Sequence, residues 1–146
     1  MYTIGEISKM FNLPISTLRY YDKMGLFPTL KRHSGIREFS TKEIETLRVI
    51  ECLKKSGLSM KDIQQFMNWC VEGPSTFVKR KELFENQKAA VEEEIRSLNR
   101  ALDMLKYKCW FYEQILLVGD EEKIRSLVPE HLPKEIREIY ENAHRE

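Results

Sequence analysis

Cysteine is scarce and odd in number: Cys52, Cys70 and Cys109 stand far apart in a chain of 146 residues. Thiols so placed do not make a disulfide framework, and reduced cysteines in a cytoplasmic protein fit better. Long apolar runs are missing too. None exceeds about nine residues, far short of the roughly 20 that span a bilayer. The opening MYTIGEISKM has no basic segment leading into an apolar stretch, so no secretory leader is expected. Net charge is nearly absent, with 24 basic against 23 acidic residues for +1, which excludes a polybasic arm and an acidic disordered chain. The motifs of catalysis are missing as well: no nucleophile elbow, no Gly-rich phosphate loop, no paired His on a helix. The three His, at 33, 131 and 144, are scattered, and there is no Cys-x-x-Cys. The expectation is a protein that is not an enzyme and holds neither cofactor nor metal.

What charge there is sits unevenly. Residues 1–40 hold six basic residues (Lys9, Arg19, Lys23, Lys31, Arg32, Arg37) against three acidic ones (Glu6, Asp22, Glu38). Residues 41–72 balance at five each, and the remainder has 13 basic against 15 acidic. A positive excess confined to the first quarter points to an anionic partner there.

Helix signals dominate. Thr3 with Glu6 is a capping box, followed by Ile4, Ile7 and Phe11 at helical spacing. Asn12-Leu13-Pro14 breaks that helix, and a second short one runs from about Ile15 to Met24, stopped by Gly25. Two short helices joined this tightly form a helix-turn-helix candidate. Leu26–Phe39 reads as a small hairpin turning at Ser34-Gly35 between two basic arms. Ser40 with Glu43 opens a helix to about Ser56, and Ser59 caps a fourth carrying Ile63, Phe66 and Met67. Gly73-Pro74 is the clearest punctuation in the chain, hence an expected boundary between residues 1–72 and 73–118.

Beyond it Phe77, Phe84, Val91, Leu98, Leu105 and Tyr112 recur every seven residues. Four positions after each come Lys81, Lys88, Ile95, Leu102, Cys109 and Leu116. This is a heptad seam with a lysine-weakened beginning. A helix of some 40 residues would be roughly 60 Å long at 1.5 Å per residue, and no equally long helix remains to cover its stripe. It reads as a homodimerisation helix, with Val91, Ile95, Leu98, Leu102, Leu105 and Tyr112 at the interface. Residues 119–146 form a short helical tail, Glu121–Val128 and Pro133 to about His144. Its stripe of Leu132, Ile136, Ile139 and Tyr140 is expected to pack on the rod.

Ser16, Arg19, Tyr20 and Lys23 share one face of the second helix, as a helix set against phosphates and base edges requires. The same tyrosines could instead close a small core and leave Arg19 a solvated charge. Lys31, Arg32, His33 and Arg37 place a second cationic element beside the first, and helix-turn-helix followed by a basic hairpin is a winged helix. The fold class expected is mainly α: a winged helix-turn-helix, a long coiled-coil helix and short C-terminal helices.

TIGEISKMFNLPISTLRYYDKMGLF, the hairpin ending in GIREFS, and the later GLSMKDIQQF resemble the mercury-resistance-regulator (MerR) family of bacterial transcription factors over roughly Tyr2–Trp69. The resemblance implies a homodimer with antiparallel rods on double-stranded promoter DNA, twisting and bending an over-long spacer so that RNA polymerase engages both promoter elements. It implies that Ser16, Thr17, Arg19 and Tyr20, with Tyr21 beside them, meet the DNA, and that Lys31 and Arg37 hold phosphates. Ile36-Arg37-Glu38-Phe39 departs from the family's frequent Tyr-Arg-x-Tyr, losing the two Tyr hydroxyls. Pro14 stands where a hydroxyl N-cap is usual.

Cys109 falls on the seam as a small apolar residue, and Cys70 beside Trp69 is ambiguous. Cys52 has Arg48 and Lys55 on its own helix face, a setting that favours the reactive thiolate, although a helix C-terminus disfavours an anion. An inert buried thiol fits those residues equally well. VIECLKKSGLSMKDIQQFMNWC and KRKELFENQKAAVEEEIRSLNRALDMLKYKCWFYE are similar to the aldehyde- and thiol-stress-responsive branch of the family, which implies that Cys52 is a sensor of reactive electrophiles. The competing expectations are a member that responds to a metal or a small ligand, and a coiled-coil interaction protein that leaves DNA alone.

Overall fold

Thr3 starts the first helix as the sequence requires: its Oγ1 accepts from the Glu6 N–H at 3.1 Å while its own N–H donates to Glu6 Oε1 at 3.2 Å. In the computed structural model, which describes residues Met1–Arg145, this helix is α1 (Ile4–Phe11). Asn12 ends it in the left-handed region at φ 53°. Then follow α2 (Ile15–Lys23), β1 (Lys31–His33), β2 (Ile36–Glu38), α3 (Thr41–Lys55) and α4 (Met60–Glu72). A 3-10 turn at Pro74–Thr76 leads into α5 (Phe77–Val118), and α6 (Glu121–Arg125) and α7 (Lys134–Ala143) close the chain. The protein is mainly helical with one two-stranded antiparallel hairpin, as expected from its patterning.

The hairpin pairs Lys31 with Glu38, Arg32 with Arg37 and His33 with Ile36. Ser34 at φ 50° and Gly35 at φ 79° make the turn whose twist matches that of the strands. Ser40 and Glu43 complete the capping box of α3, and Thr29 Oγ1 also donates to Glu43, at 2.7 Å. Burial works to raise the Glu43 carboxyl. The hydroxyls of Ser40 and Thr29 and two backbone N–H groups outweigh it and hold the group below its ordinary value.

The chain forms two compact units, Met1–Lys88 and Ala89 onward. In the first, Ile7, Leu18, Tyr21, Leu26, Phe39, Leu47, Ile50 and Ile63 are fully buried together. Phe39 packs edge-on against Phe27, with ring centroids 5.6 Å apart, and exchanges two backbone hydrogen bonds with Tyr2. The turn at Gly73 redirects the chain, and the first unit runs on past it. Arg80 Nη2 donates to the Trp69 and Gly73 carbonyls, each at 2.9 Å, beside the backbone N–H groups and the Thr76 hydroxyl that the same two oxygens accept at the end of α4. Phe84 meets Phe66 at 5.1 Å, and Gln87 Nε2 donates to the Ser56 carbonyl at 2.8 Å. That last contact needs Gly57, because a Cβ there would lie 2.9 Å from Gln87 Nε2 and φ is +89°.

In the second unit the tail packs on α5, as its stripe implied. Tyr107, Phe111, Ile124 and Leu132 are buried, joined by Ile136, Ile139 and Tyr140. α6 ends at Arg125, sooner than the run to Val128 suggested by pattern. The heptad seam is on a different face of the helix: Ile95, Leu98, Leu105 and Leu116 are 52, 69, 62 and 84% exposed in the single chain. No helix among the described residues is long and apolar enough to cross a membrane.

Candidate nucleic-acid interface

The two sides of α2 have opposite fates. Leu18 and Tyr21 are buried, whereas Ser16, Arg19, Tyr20 and Lys23 are exposed and Thr17 is half-buried. Four of the expected contact residues, Ser16, Thr17, Arg19 and Tyr20, therefore stand with Lys23 on an accessible, cationic and hydrogen-bonding surface. Pro14 precedes the helix without a side-chain cap, in line with the sequence.

Tyr21 is a correction. Its ring lies in the core at 1% exposure, and it cannot present itself to DNA as the resemblance implied. Its hydroxyl is spent within the protein, donating to Glu51 Oε1 at 2.9 Å and accepting from Lys54 Nζ at 2.7 Å. Lys54 Nζ also stands 5.4 Å from the ring centroid. Burial, opposed by the Lys54 hydrogen bond and reinforced by Glu51, pushes the phenol above its ordinary value. The hydrogen bond from Lys54 to Tyr21 stabilises the ammonium and raises that group in turn. Tyr21 thus ties α2 to α3, and Gln64 of α4 holds the far end by donating to the Met24 carbonyl at 2.8 Å.

Arg37 is turned partly inward. Its side chain is 19% exposed, and its Nε donates to Asp22 Oδ2 at 2.8 Å. Arg32 Nη2 reaches the same oxygen at 2.6 Å. One carboxylate on α2 therefore holds one arginine from each strand of the hairpin. Burial works to raise Asp22, but Arg37 and then Arg32 outweigh it and keep the carboxyl below its ordinary value. Lys31 is exposed and makes no ion pair among the described residues, whereas His33 Nδ1 lies 3.7 Å from Glu38 Oε1. The free positive charge of the hairpin is narrower than its composition suggests.

Sequence reasoning missed Asp22, Glu51 and Lys54. For Asp22 the available signal was an acid set within a cationic segment; for the other two there was none. Cys52 lies exposed on α3 next to Glu51, the residue that accepts from Tyr21, and Cys70 and Cys109 are exposed as well. No group of three or more metal-binding side chains occurs among the described residues.

Comparison with known proteins agrees with this geometry. The profile of the MerR HTH family regulatory proteins matches residues 2–69. An HTH-type transcriptional regulator of Haemophilus influenzae is 37% identical over 124 residues, covering 84% of this chain and 92% of that protein. The chain belongs to the MerR HTH family of regulatory proteins.

AdhR of Bacillus subtilis, another HTH-type transcriptional regulator, is 33% identical over 91 residues, covering 62% of this chain and 65% of AdhR. The crystal structure of HiNmlR, a MerR family regulator lacking the sensor domain and bound to promoter DNA, aligns with a TM-score of 0.67. Its identity to this chain is 37%, over 84% of this chain and 98% of HiNmlR. In this MerR chain, then, the helix-turn-helix that defines the family consists of α1 and α2, and α2 carries the exposed cationic face.

Proposed function

We propose that this MerR-family chain is a homodimeric transcription regulator that binds double-stranded promoter DNA and responds to reactive electrophiles at Cys52. The observation that carries the DNA reading is the α2 face: Ser16, Arg19, Tyr20 and Lys23 stand clear of the core beside a hairpin fixed to the same helix through Asp22. Residues 1–72 serve as the DNA-binding domain, 73–118 as the dimerisation helix and 119–146 as the tail that packs on it. In the groove, Arg19 and Tyr20 face bases and phosphates, with Ser16, Thr17 and Lys31 on the backbone. Arg37 acts from behind, by placing the hairpin. Binding of HiNmlR to promoter DNA, at 37% identity, supports this reading. The dimer joins through the exposed seam of α5, with Val91, Ile95, Leu98, Leu102, Leu105 and Tyr112 at its interface. Each half fixes one reading surface, and a spacer that does not fit is bent and untwisted to suit. RNA polymerase is then engaged indirectly, through the altered promoter.

Similarity to AdhR and the exposure of Cys52 support the sensor reading. The Cys52 thiolate adds to an aldehyde carbonyl carbon, an S–C bond forms, and the oxygen takes up a proton to give a hemithioacetal with no oxidant required. Cys52 follows Glu51, the acceptor of the Tyr21 hydroxyl, in the same turn of α3.

Fluorescence anisotropy on the protein's own upstream region tests the DNA reading, with affinity expected to fall steeply as salt rises. Binding that ignores salt, or no binding at low salt, would overturn it. Cys52→Ser should keep DNA affinity while the promoter loses its response to an added aldehyde. A full response in that variant would remove Cys52 from the sensing role.

A further inference from the structure

The last turns of α5 and the chain that follows them enclose a cleft of about 300 Å³, lined by Tyr107, Lys108, Phe111, Tyr112, Arg125 and Val128. Helical spacing explains how α5 builds its wall. Tyr107 and Phe111, four residues apart, share a face and are buried under the tail. Lys108 and Tyr112 repeat that spacing one residue on, where both are exposed. The wall is aromatic throughout: ring centroids lie 6.1 Å apart for Tyr107 and Phe111, and 5.3 Å apart for Phe111 and Tyr112.

Two cations are held against that wall. Lys108 Nζ stands 5.7 Å from the Tyr107 ring centroid, and Arg125 Cζ stands 5.8 Å from that of Phe111. Of the five lysines on α5, Lys108 alone has no acidic residue three or four positions away; those places hold Met104, Leu105, Phe111 and Tyr112. It makes no ion pair among the described residues. Arg125 is oriented by Glu121, whose Oε1 accepts from Nε at 3.1 Å and from Nη2 at 2.7 Å. That pair leaves both N–H groups of Arg125 Nη1 unused. Glu113 and Glu122, the other acids close by in sequence, do not line the cleft.

We propose that this cleft binds a small aromatic carboxylate, one flat ring bearing one anionic group. The carboxylate accepts from Arg125, a planar donor already fixed in orientation, and takes Lys108 as its second counter-ion. The ring lies on the aromatic wall and against Val128. Both parts of the ligand are required. A free inorganic anion leaves the aromatic wall uncovered, a neutral ring leaves both cations unmatched, and an organic cation is repelled. Size points the same way, because the cleft is at the small end of ligand sites and has no room for a polycyclic molecule.

The cleft belongs wholly to the second compact unit, whereas Cys52 belongs to the first. Binding there needs no covalent step and no thiol. Because Arg125 ends α6 and the wall belongs to α5, a bound anion fastens the tail to the rod. Tyr112 alone among the six residues is also a seam position, so occupancy is felt at the edge of the proposed dimer interface. The binding itself depends on neither the dimer reading nor the DNA reading.

Sodium benzoate titrated into the full chain tests this, read by saturation-transfer NMR and by backbone amide shifts. Binding should saturate with a dissociation constant of about 1 mM or tighter, and the shifts should gather between residues 104 and 128. Benzamide, which keeps the ring without the charge, and acetate, which keeps the charge without the ring, should each bind about fivefold more weakly or worse. Lys108→Met should weaken benzoate about fivefold, with the fold intact because the side chain is exposed. Lys108→Arg should retain binding, and Lys106→Met, an exposed lysine outside the cleft, should change nothing. Undiminished binding in Lys108→Met would place the anion elsewhere and overturn the proposal. Benzamide binding as tightly as benzoate would overturn it too, as would the lack of saturation at about 10 mM benzoate.

Discussion

Ile50 and Leu98 are chemically similar, both lie on helices, and they meet opposite fates. Ile50 has no exposed surface, while Leu98 shows 69% of its own. In Met1–Lys88 the apolar residues of four helices converge on each other, and their core closes. Along α5 an apolar row of comparable regularity faces outward. Contiguous exposed apolar patches of this kind mark interaction surfaces or aggregation hazards, and the proposed dimer would cover this one. The first region explains how the chain folds, and the second is the surface on which the proposed dimer rests.

The largest effect that would break this contrast is at the two residues themselves. Ile50→Ala should destabilise the fold by about 2–5 kcal/mol, at any protein concentration, because it leaves a cavity that its neighbours cannot fill. Leu98→Ala should act through assembly only. Its unfolding midpoint should fall at high concentration and converge on the parent's once both are diluted to monomers. Equal, concentration-independent losses, read by thermal melts over a dilution series, would mean that the seam is ordinary core.

A smaller effect separates the surface from its support within the first region. Arg19→Ala should weaken promoter affinity about tenfold and lower the slope of log affinity against log salt by about one. Arg37→Ala should weaken binding too, yet leave that slope nearly unchanged, because its charge is already matched by Asp22. Equal slope changes in the two variants would return Arg37 to the phosphate backbone.

The smallest effect is at Asp22. Its carboxyl is held below the ordinary value in the folded chain, so near pH 3–4 the unfolded state binds more protons. Its contribution is therefore complete above the ordinary carboxylate pKa of about 4 and is lost as pH falls through the folded value. The protection factors of the Lys31–Glu38 amides, with each rate corrected for its intrinsic rate at that pH, should be lower at pH 3 than at pH 6, and Asp22→Asn should show the lower protection at both. The loss should be about 1 kcal/mol, since Arg32 is half in solvent.

Much of this was legible in order along the chain. Thr3 with Glu6 and Ser40 with Glu43 announce helix starts because a capping box is a local event, complete within four residues. Ser34-Gly35 does the same for the hairpin, and the heptads for the seam. Tyr21 was not legible. It adjoins a second tyrosine, and which of the two turns inward depends on Glu51 and Lys54, some thirty residues away. The pairing of Arg37 with Asp22 was hidden for a related reason. Composition gives the number of cations in a hairpin, whereas strand register and the position of Asp22 decide which of them remain free.

The doubly engaged Asp22 carries one consequence beyond charge. A hairpin fastened to its helix through a single oxygen, by one arginine from each strand, is biased to move with that helix. The span from helix to hairpin then has a preferred width. Under the proposed DNA reading, operators whose grooves are narrower or wider than that width would themselves deform, and preference among sequences would follow their stiffness as well as their letters.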